Sequence, residues 1–342
     1  MVSMKDIARE CGVSVATVSK ALNDYSDIGE ATRKKVRDTA ERLGYFPNSS
    51  ARALKTNKTY NLGVLFVDKA NSGLTHDFFA HILESFKVTA EKRGYDITFV
   101  TSNIASRKTS YLEHCRYRGV DGVVIACIDF YDPRVQDLVQ SSLPVVTIDH
   151  VFDSRIAVTS NNVKGMHDLV EYVLSRGHRR IAYVHGADSS VTRNRLASFY
   201  HTLELHGVTV PESYICESAY RDVRGAEAVT EHLLDLPEPP TCILYPDDIS
   251  CVGGMNEIRE RGLRIPEDIS IAGFDGLLFS KLLIPAMTTI SQDTDTIGRI
   301  AAEKLINQIE NPKATIVETI VVDGTLVEGG TVAQIGPAIP NV

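Results

Sequence analysis

The spacing of apolar residues along the 342-residue chain changes once, near residue 60. Before that point it is helical. "MKDIAREC" puts Ile7, Ala8 and Cys11 on one face, "GVS" interrupts, and "VATVSKALN" sets Val15, Val18 and Leu22 on one stripe. Ser14 precedes the second helix and is placed to cap it through its hydroxyl. After the loop "DYSDIG", the segment "EATRKKVRDTAERLG" predicts a third helix, with Val36, Ala40 and Leu43 on one face and Gly44 as its stop.

Beyond residue 60 the pattern becomes strand then helix, repeated. Apolar runs rich in Val and Ile predict strands at 61–67, 95–101, 120–128, 143–149, 180–186, 241–246 and 269–275. They lack polar alternation, as strands buried on both faces do. The helical patterns between them predict right-handed βαβ units and parallel α/β sheets. So long a series exceeds one sheet, so two doubly wound lobes are expected. The late segment "TIVETIVVDGTLVEGGTV" reads as strand, turn and strand.

Charge sharpens this division. The net charge is −8, yet residues 1–60 hold 11 Lys/Arg against 7 Asp/Glu, and the rest holds 25 against 37. A basic head on an acidic body points to a polyanionic partner for the head. The six cysteines are scattered without a CxxC pair, and the ten histidines show no metal-ligand spacing. The expectation is reduced cysteines in a cytoplasmic protein, with no metal and no cofactor. No apolar run approaches the length of a membrane helix. Phosphate-binding glycine loops and catalytic motifs are missing, and no catalytic residue is nominated.

Helix, "GVS" turn, helix fits a helix-turn-helix. Gly12 permits the tight turn, and the second helix would enter the major groove by its N-terminus. Its outward face would carry Val15, Ala16, Thr17, Ser19, Lys20 and Asn23. Hydroxyls and Lys20 can read bases or hold phosphate, and Val15 and Ala16 can touch thymine methyls. The helical pattern alone fits a three-helix dimerisation module equally well.

The stretch "MKDIARECGVSVATVSKALNDYSDIGEATRKKVRDTAERLGYFPNSSARALKTNKT" resembles the head of the lactose-repressor (LacI/GalR) family of bacterial transcription regulators. The resemblance continues through "GYDITFVTSN", "RGVDGVVI", "RGHRRIAYVHG", "NRLASF", "GLRIPEDISIAGFDG" and "MTTISQD". It implies an all-α helix-turn-helix head on an α/β periplasmic-binding-protein-like body of two doubly wound parallel-sheet lobes. The expected domains are 1–46 (head), 47–59 (hinge helix) and 60–342 (effector binding and dimerisation). Within the body, one lobe spans about 60–160 plus 292–319 and the other about 161–291 plus 320–335.

The function implied is a repressor that binds a palindromic double-stranded DNA operator as a homodimer under a small-molecule effector. By similarity Val15 and Ala16 vary with operator choice, and Thr17, Ser19, Lys20 and Asn23 fall on other contact positions. Ser14, Thr32, Tyr45 and Asn48 match residues that hold phosphates or orient the head. In the hinge, Leu54 matches a leucine that wedges into the minor groove, flanked by Arg52, Ala53 and Lys55. By composition alone the same segment passes for a flexible linker. In the body, Asp149, Arg195 and Asp275 match effector contacts, and Arg193 is a second basic candidate. Phe79 and Tyr220 are candidate ring-stacking partners. Asp247 stands where the family usually has asparagine. An ionised aspartate only accepts hydrogen bonds, so an acidic cleft and a neutral sugar or polyol effector are expected. A purine-type or sugar-phosphate co-repressor is the alternative, and an enzyme built on the α/β body is the more distant rival.

Overall fold

The computed structural model describes residues 2–23, 25–46, 58–68 and 73–336. The chain divides into two compact units, Met1–Thr59 and Tyr60–Val342.

In the first unit, α1 (Met4–Cys11), α2 (Val15–Leu22) and α3 (Glu30–Arg42) pack together. Gly12 ends α1 in the left-handed conformation at φ 66°, and Val13 N–H returns to the Ala8 carbonyl at 3.0 Å. Ser14 Oγ accepts from the Thr17 N–H at 3.0 Å and so starts α2. Ile7, Ala8, Cys11, Val18, Ala21, Val36 and Ala40 form the core. One expected stripe is corrected. Val18 and Ala21 are the buried residues of α2, Leu22 packs at the edge, and Val15 is 41% exposed. Helical spacing admits either face for Val15, and contact with α1 and α3 chooses Val18 and Ala21.

The second unit contains two parallel sheets. The larger is ordered β13-β7-β6-β5-β1-β2. Its strands are β1 (Asn61–Phe66), β2 (Asp96–Phe99), β5 (Gly122–Ala126), β6 (Val145–Ile148), β7 (Ile156–Ser160) and β13 (Thr319–Val322). The smaller is ordered β11-β10-β8-β9, from β8 (Ile181–His185), β9 (Ile215–Glu217), β10 (Cys242–Leu244) and β11 (Ser270–Ala272). A two-residue ribbon, β3 (Asn103–Ile104) with β4 (Arg107–Lys108), follows β2.

Helices cover both faces of each sheet. On the larger one, α4 (Asp77–Lys92) and the late helix α11 (Thr294–Glu310) pack over Leu62, Val64, Val124 and Ala126. The opposite face carries α5 (Tyr111–Arg118) and α6 (Pro133–Gln140) over Leu65, Val123 and Ile125. Alternate residues of one strand thus enter two different cores, which is why these strands read as unbroken apolar runs. The smaller sheet has α7 (Asn162–Ser175) and α8 (Ser190–Leu205) on one side. On the other lie α9 (Val223–Leu234) and α10 (Asp248–Glu260).

The end of the chain corrects the expected lobe boundary. The expected second lobe includes residues 320–335, but β13 pairs in parallel with β7 of the larger sheet, from Thr319↔Ala157 to Val322↔Ser160. Nor do the two late strands form a hairpin. β14 (Thr325–Val327) pairs antiparallel with β12 (Thr289–Ser291) instead. The chain therefore passes between lobes after β7, after β12 and after β13.

Helix α11 lies against α4 at Gly298. A Cβ there would stand 2.2 Å from the Ile82 carbonyl oxygen and 2.9 Å from the Phe86 nitrogen. Backbone cannot yield as a side-chain tip can. Gly298→Leu is therefore expected to destabilise the body by at least ~2 kcal/mol, read as a lower urea midpoint. An unchanged midpoint would show that the two helices can separate freely.

Candidate functional site

On the head, the candidate DNA-reading residues occupy one side of α2. Val15, Ala16 and Asn23 are exposed, while Thr17, Ser19 and Lys20 are half-buried. Several are already partnered within the head. Thr17 Oγ1 lies 2.9 Å from Ser14 Oγ, Asn23 Nδ2 donates to the Ser19 carbonyl at 2.6 Å, and Lys20 pairs with Asp27. The Lys20 pair is solvent-exposed, so it is weak and a phosphate or base can displace it. Ser14 serves as the cap. Thr32 and Tyr45 are half-buried, and Tyr45 N–H holds the end of α3 through the Ala40 carbonyl at 2.8 Å. Asn48, Arg52, Ala53, Leu54 and Lys55, with most of the expected hinge, lie outside the described residues.

In the body, the candidate effector residues gather at the carboxyl ends of the parallel strands, where ligands of open α/β sheets bind. Asp149 follows β6, Tyr220 follows β9, Asp247 follows β10 and Asp275 follows β11. Six described non-glycine residues have positive φ. Four of them stand just past strand ends in this cleft: Cys127 (50°), Asp149 (57°), Arg221 (61°) and Asp275 (116°). Backbone held in that region costs free energy and concentrates at ligand sites. Spacing along the chain does not point to Arg221 or Cys127, because nothing in a sequence marks a non-glycine residue for a left-handed turn.

Arg195 is the centre of the cleft. It is 3% exposed, and its Nε donates to Asn162 Oδ1 and its Nη1 to the Pro246 carbonyl, each at 2.7 Å. Its guanidinium carbon lies 3.5 Å from the centroid of the Phe274 ring, a cation–π contact. Burial pushes Asp149 above the usual carboxylate range, opposed by the Ser160 N–H at 2.9 Å and by the Arg195 charge. Burial likewise pushes Asp275 well upward, opposed by Arg195 and reinforced by Asp247 and Asp248. Gln292 Nε2 donates to Asp275 Oδ1 at 2.6 Å. Tyr220 lies against Gly186, where a Cβ would meet its ring at 2.1 Å, and its hydroxyl bonds Thr192 Oγ1 at 2.9 Å. Phe79, in the first turn of α4, packs edge-on to His76 and Phe78 and tilted against Phe66.

Two expected roles change. Asp247 does not supply free acidic oxygens to the cleft. Its carboxylate caps α10, accepting from the Ser250 N–H (2.8 Å), the Ser250 hydroxyl (2.9 Å) and the Arg221 N–H (2.8 Å). Arg193 is exposed and pairs with Asp188 at 2.5 Å, away from the partners of Arg195. The cleft also brings together Asp68, His76 and Cys127, whose candidate ligand atoms lie within 4.8 Å of one another. Burial raises the Cys127 thiol to about 12, and the charge of Arg221 acts on both Cys127 and His76. A guanidinium beside the cluster opposes a cation there. A separate hollow of about 350 Å³, lined by Arg179, Arg180, Tyr214 and Glu238, contains none of these groups.

Behind the cleft, Asp248 is fully buried. It accepts from Thr289 Oγ1 at 2.6 Å and from the Leu277 N–H at 2.7 Å. Burial raises its pKa from 3.8 to about 7. The folded state then keeps a proton that the unfolded chain loses first, so this group's contribution to stability falls as pH rises from about 4 to about 7. Asn in its place mimics the protonated form. Asp248→Asn is expected to gain stability relative to the parent across that window, by up to ~4 kcal/mol, measured by urea unfolding at several pH values. A constant difference between the two proteins would contradict it.

Comparison with known proteins agrees with this arrangement. Residues 3–48 match the family model of bacterial regulatory proteins, lacI family, and residues 170–332 match a periplasmic binding protein-like domain. The probable HTH-type transcriptional repressor ExuR of Bacillus subtilis (strain 168) is 31% identical over 317 residues, covering 92% of this chain and 93% of that protein. The HTH-type transcriptional repressor PurR of Escherichia coli O139:H28 is 30% identical over 343 residues, covering 98% of each. Among solved structures, the Lac repressor dimer bound to operator and the anti-inducer ONPF superimposes with TM-score 0.80 at 25% identity, covering 97% of this chain and 99% of that one. The regulator CelR in complex with cellobiose, at 24% identity and TM-score 0.70, shares the fold over 97% of this chain and 100% of that one. The chain belongs to the lacI family of bacterial regulatory proteins: it is a DNA-binding transcriptional repressor controlled by an effector, and not an enzyme.

Proposed function

We propose that two copies of this chain bind a palindromic operator through α2 of each head, and that a hydroxyl-rich effector of the sugar or polyol class in the cleft controls that binding. The observation that carries the effector class is the mixed polarity of the buried cleft atoms. Ser160 Oγ and Gln292 Oε1 are buried without hydrogen-bond partners, next to Asp149 and Asp275 respectively. Hydroxyl groups both donate and accept, so a polyhydroxylated ligand can satisfy such a set. The Lac repressor is seen as a dimer on its operator, which supports the same assembly here. So does an apolar surface segment, where Leu278, Leu282 and Ile284 are exposed within seven residues.

The hinge, residues 47–59, transmits the signal in this reading. So short a segment is a marginal helix alone, and it orders when two copies meet over the operator centre. Leu54 from each then enters the minor groove, where unstacking a base step is repaid by contacts with bent DNA. An effector that prefers one lobe arrangement shifts how the two hinges emerge and so changes operator affinity.

Two experiments test this reading. A thermal-shift panel of sugars, polyols, sugar phosphates and nucleobases is expected to give its hits among the hydroxylated compounds, and those hits to change operator affinity at fixed salt. Hits confined to nucleobases would overturn the effector class. Leu54→Ala is expected to weaken specific binding at least about tenfold while non-specific binding changes less than about threefold. Fluorescence anisotropy with operator and scrambled duplexes reads the difference, and equal losses would remove Leu54 from the specificity argument.

A further inference from the structure

Lys20 does not project freely from the outward face of α2. Its Nζ donates to Oδ2 of Asp27, in the loop between α2 and α3, and the two side chains are 43% and 53% exposed. That loop is held in place. Tyr25 N–H donates to the Lys20 carbonyl at 3.1 Å, and Ile28 N–H to the Tyr25 carbonyl at 3.3 Å. Arg33 of α3 donates from Nη2 to the Tyr25 and Ile28 carbonyls at 3.1 and 3.2 Å, so the backbone on both sides of Asp27 is clamped. The hydrogen bond from Lys20 is the first cause holding the Asp27 carboxyl below its ordinary range, so it is charged at neutral pH. An exposed pair of this kind adds little stability. It does set a carboxylate on a basic head, where 11 Lys/Arg stand against 7 Asp/Glu up to residue 60, beside a side chain that faces DNA.

We infer that Asp27 is a specificity-determining residue that steers Lys20 toward a guanine and away from phosphate. This rests on α2 as the reading helix, as proposed above. An ammonium has three N–H donors, and Asp27 takes one. The other two can meet O6 and N7 of a guanine, which are neutral acceptors, while the pair with Asp27 stays intact. A phosphate is an anion, and one that displaces Asp27 from the ammonium still meets its charge. Coulomb repulsion opposes that contact. Phosphate contacts supply nearly all the affinity of non-specific complexes, so Asp27 weakens those complexes more than the specific one. Asp27 also holds a long, flexible side chain in one place, so less rotamer freedom is lost when Lys20 docks on a base. It acts through Lys20 and is a positioning residue for it.

Selection of bound duplexes from a randomised pool with the full chain, followed by sequencing, reads base preference position by position. Fluorescence anisotropy with the selected and a scrambled duplex reads affinity at fixed salt. Lys20→Ala identifies the position that Lys20 reads, as a guanine preference that falls at least about fivefold. Asp27→Asn keeps the size of the side chain and removes its charge. It is expected to lower the preference at that same position at least about twofold, and to tighten binding of the scrambled duplex about three- to tenfold. In the Lys20→Ala background Asp27→Asn should have neither effect, a coupling that a merely structural role for the loop would not produce. Unchanged preference and scrambled affinity in Asp27→Asn, a loss spread over all positions alike, or the same gain in scrambled binding without Lys20 would overturn the inference and leave α2 as the reading helix. No change of preference at any position in Lys20→Ala would overturn the inference together with the part of Lys20 in that reading.

Discussion

A full positive charge at 3% exposure organises the body of this protein. A guanidinium buried this deeply must be compensated by its surroundings. They do so with the Asn162 side chain, the Pro246 carbonyl, the face of Phe274 and the nearby carboxyls of Asp149 and Asp275. These groups arrive from α7, from the segments after β10 and β11, and from the end of β6. The charge therefore ties elements of both lobes to one polar centre.

That centre explains the distribution of acidity in the cleft. Asp149 and Asp275 look alike as sequence, each an aspartate just past a strand. Burial raises both, and Arg195 opposes the rise in both. Asp247 and Asp248 are adjacent yet do different work. Asp247 spends its oxygens on the start of α10, and Asp248 faces inward to Thr289 and Leu277. Counting aspartates gives an acidic cleft. Assigning their hydrogen bonds leaves fewer free acceptor oxygens, and the fold adds a second guanidinium, Arg221.

The two units use different means to present function. The head is small, and its three helices share one core of short side chains, so the outward face of α2 is whatever that core leaves over. The body holds its polar groups on strand ends and first helical turns, backed by four hydrophobic clusters. Rigid elements behind a cleft allow unusual backbone at its rim, as the positive φ values of Cys127, Asp149, Arg221 and Asp275 show.

Much of this was legible in the sequence because it depends on local spacing. Helical period marked the three head helices, apolar runs marked seven strands, and the family motifs located Asp149, Arg195 and Asp275. Tertiary structure decided what spacing leaves degenerate. Val15 and Val18 are both apolar on α2, and only packing against α1 and α3 buries Val18 and exposes Val15. β13 and β14 are near neighbours in sequence, and only strand pairing sends them to different sheets. Arg221 and Asp77 lie 144 positions apart, and only the approach of the two lobes brings Arg221 Nη1 within 3.7 Å of Asp77 Oδ2. Periodicity is a property of neighbours along the chain, whereas burial and hydrogen-bond partnership belong to groups that meet only when the chain has folded.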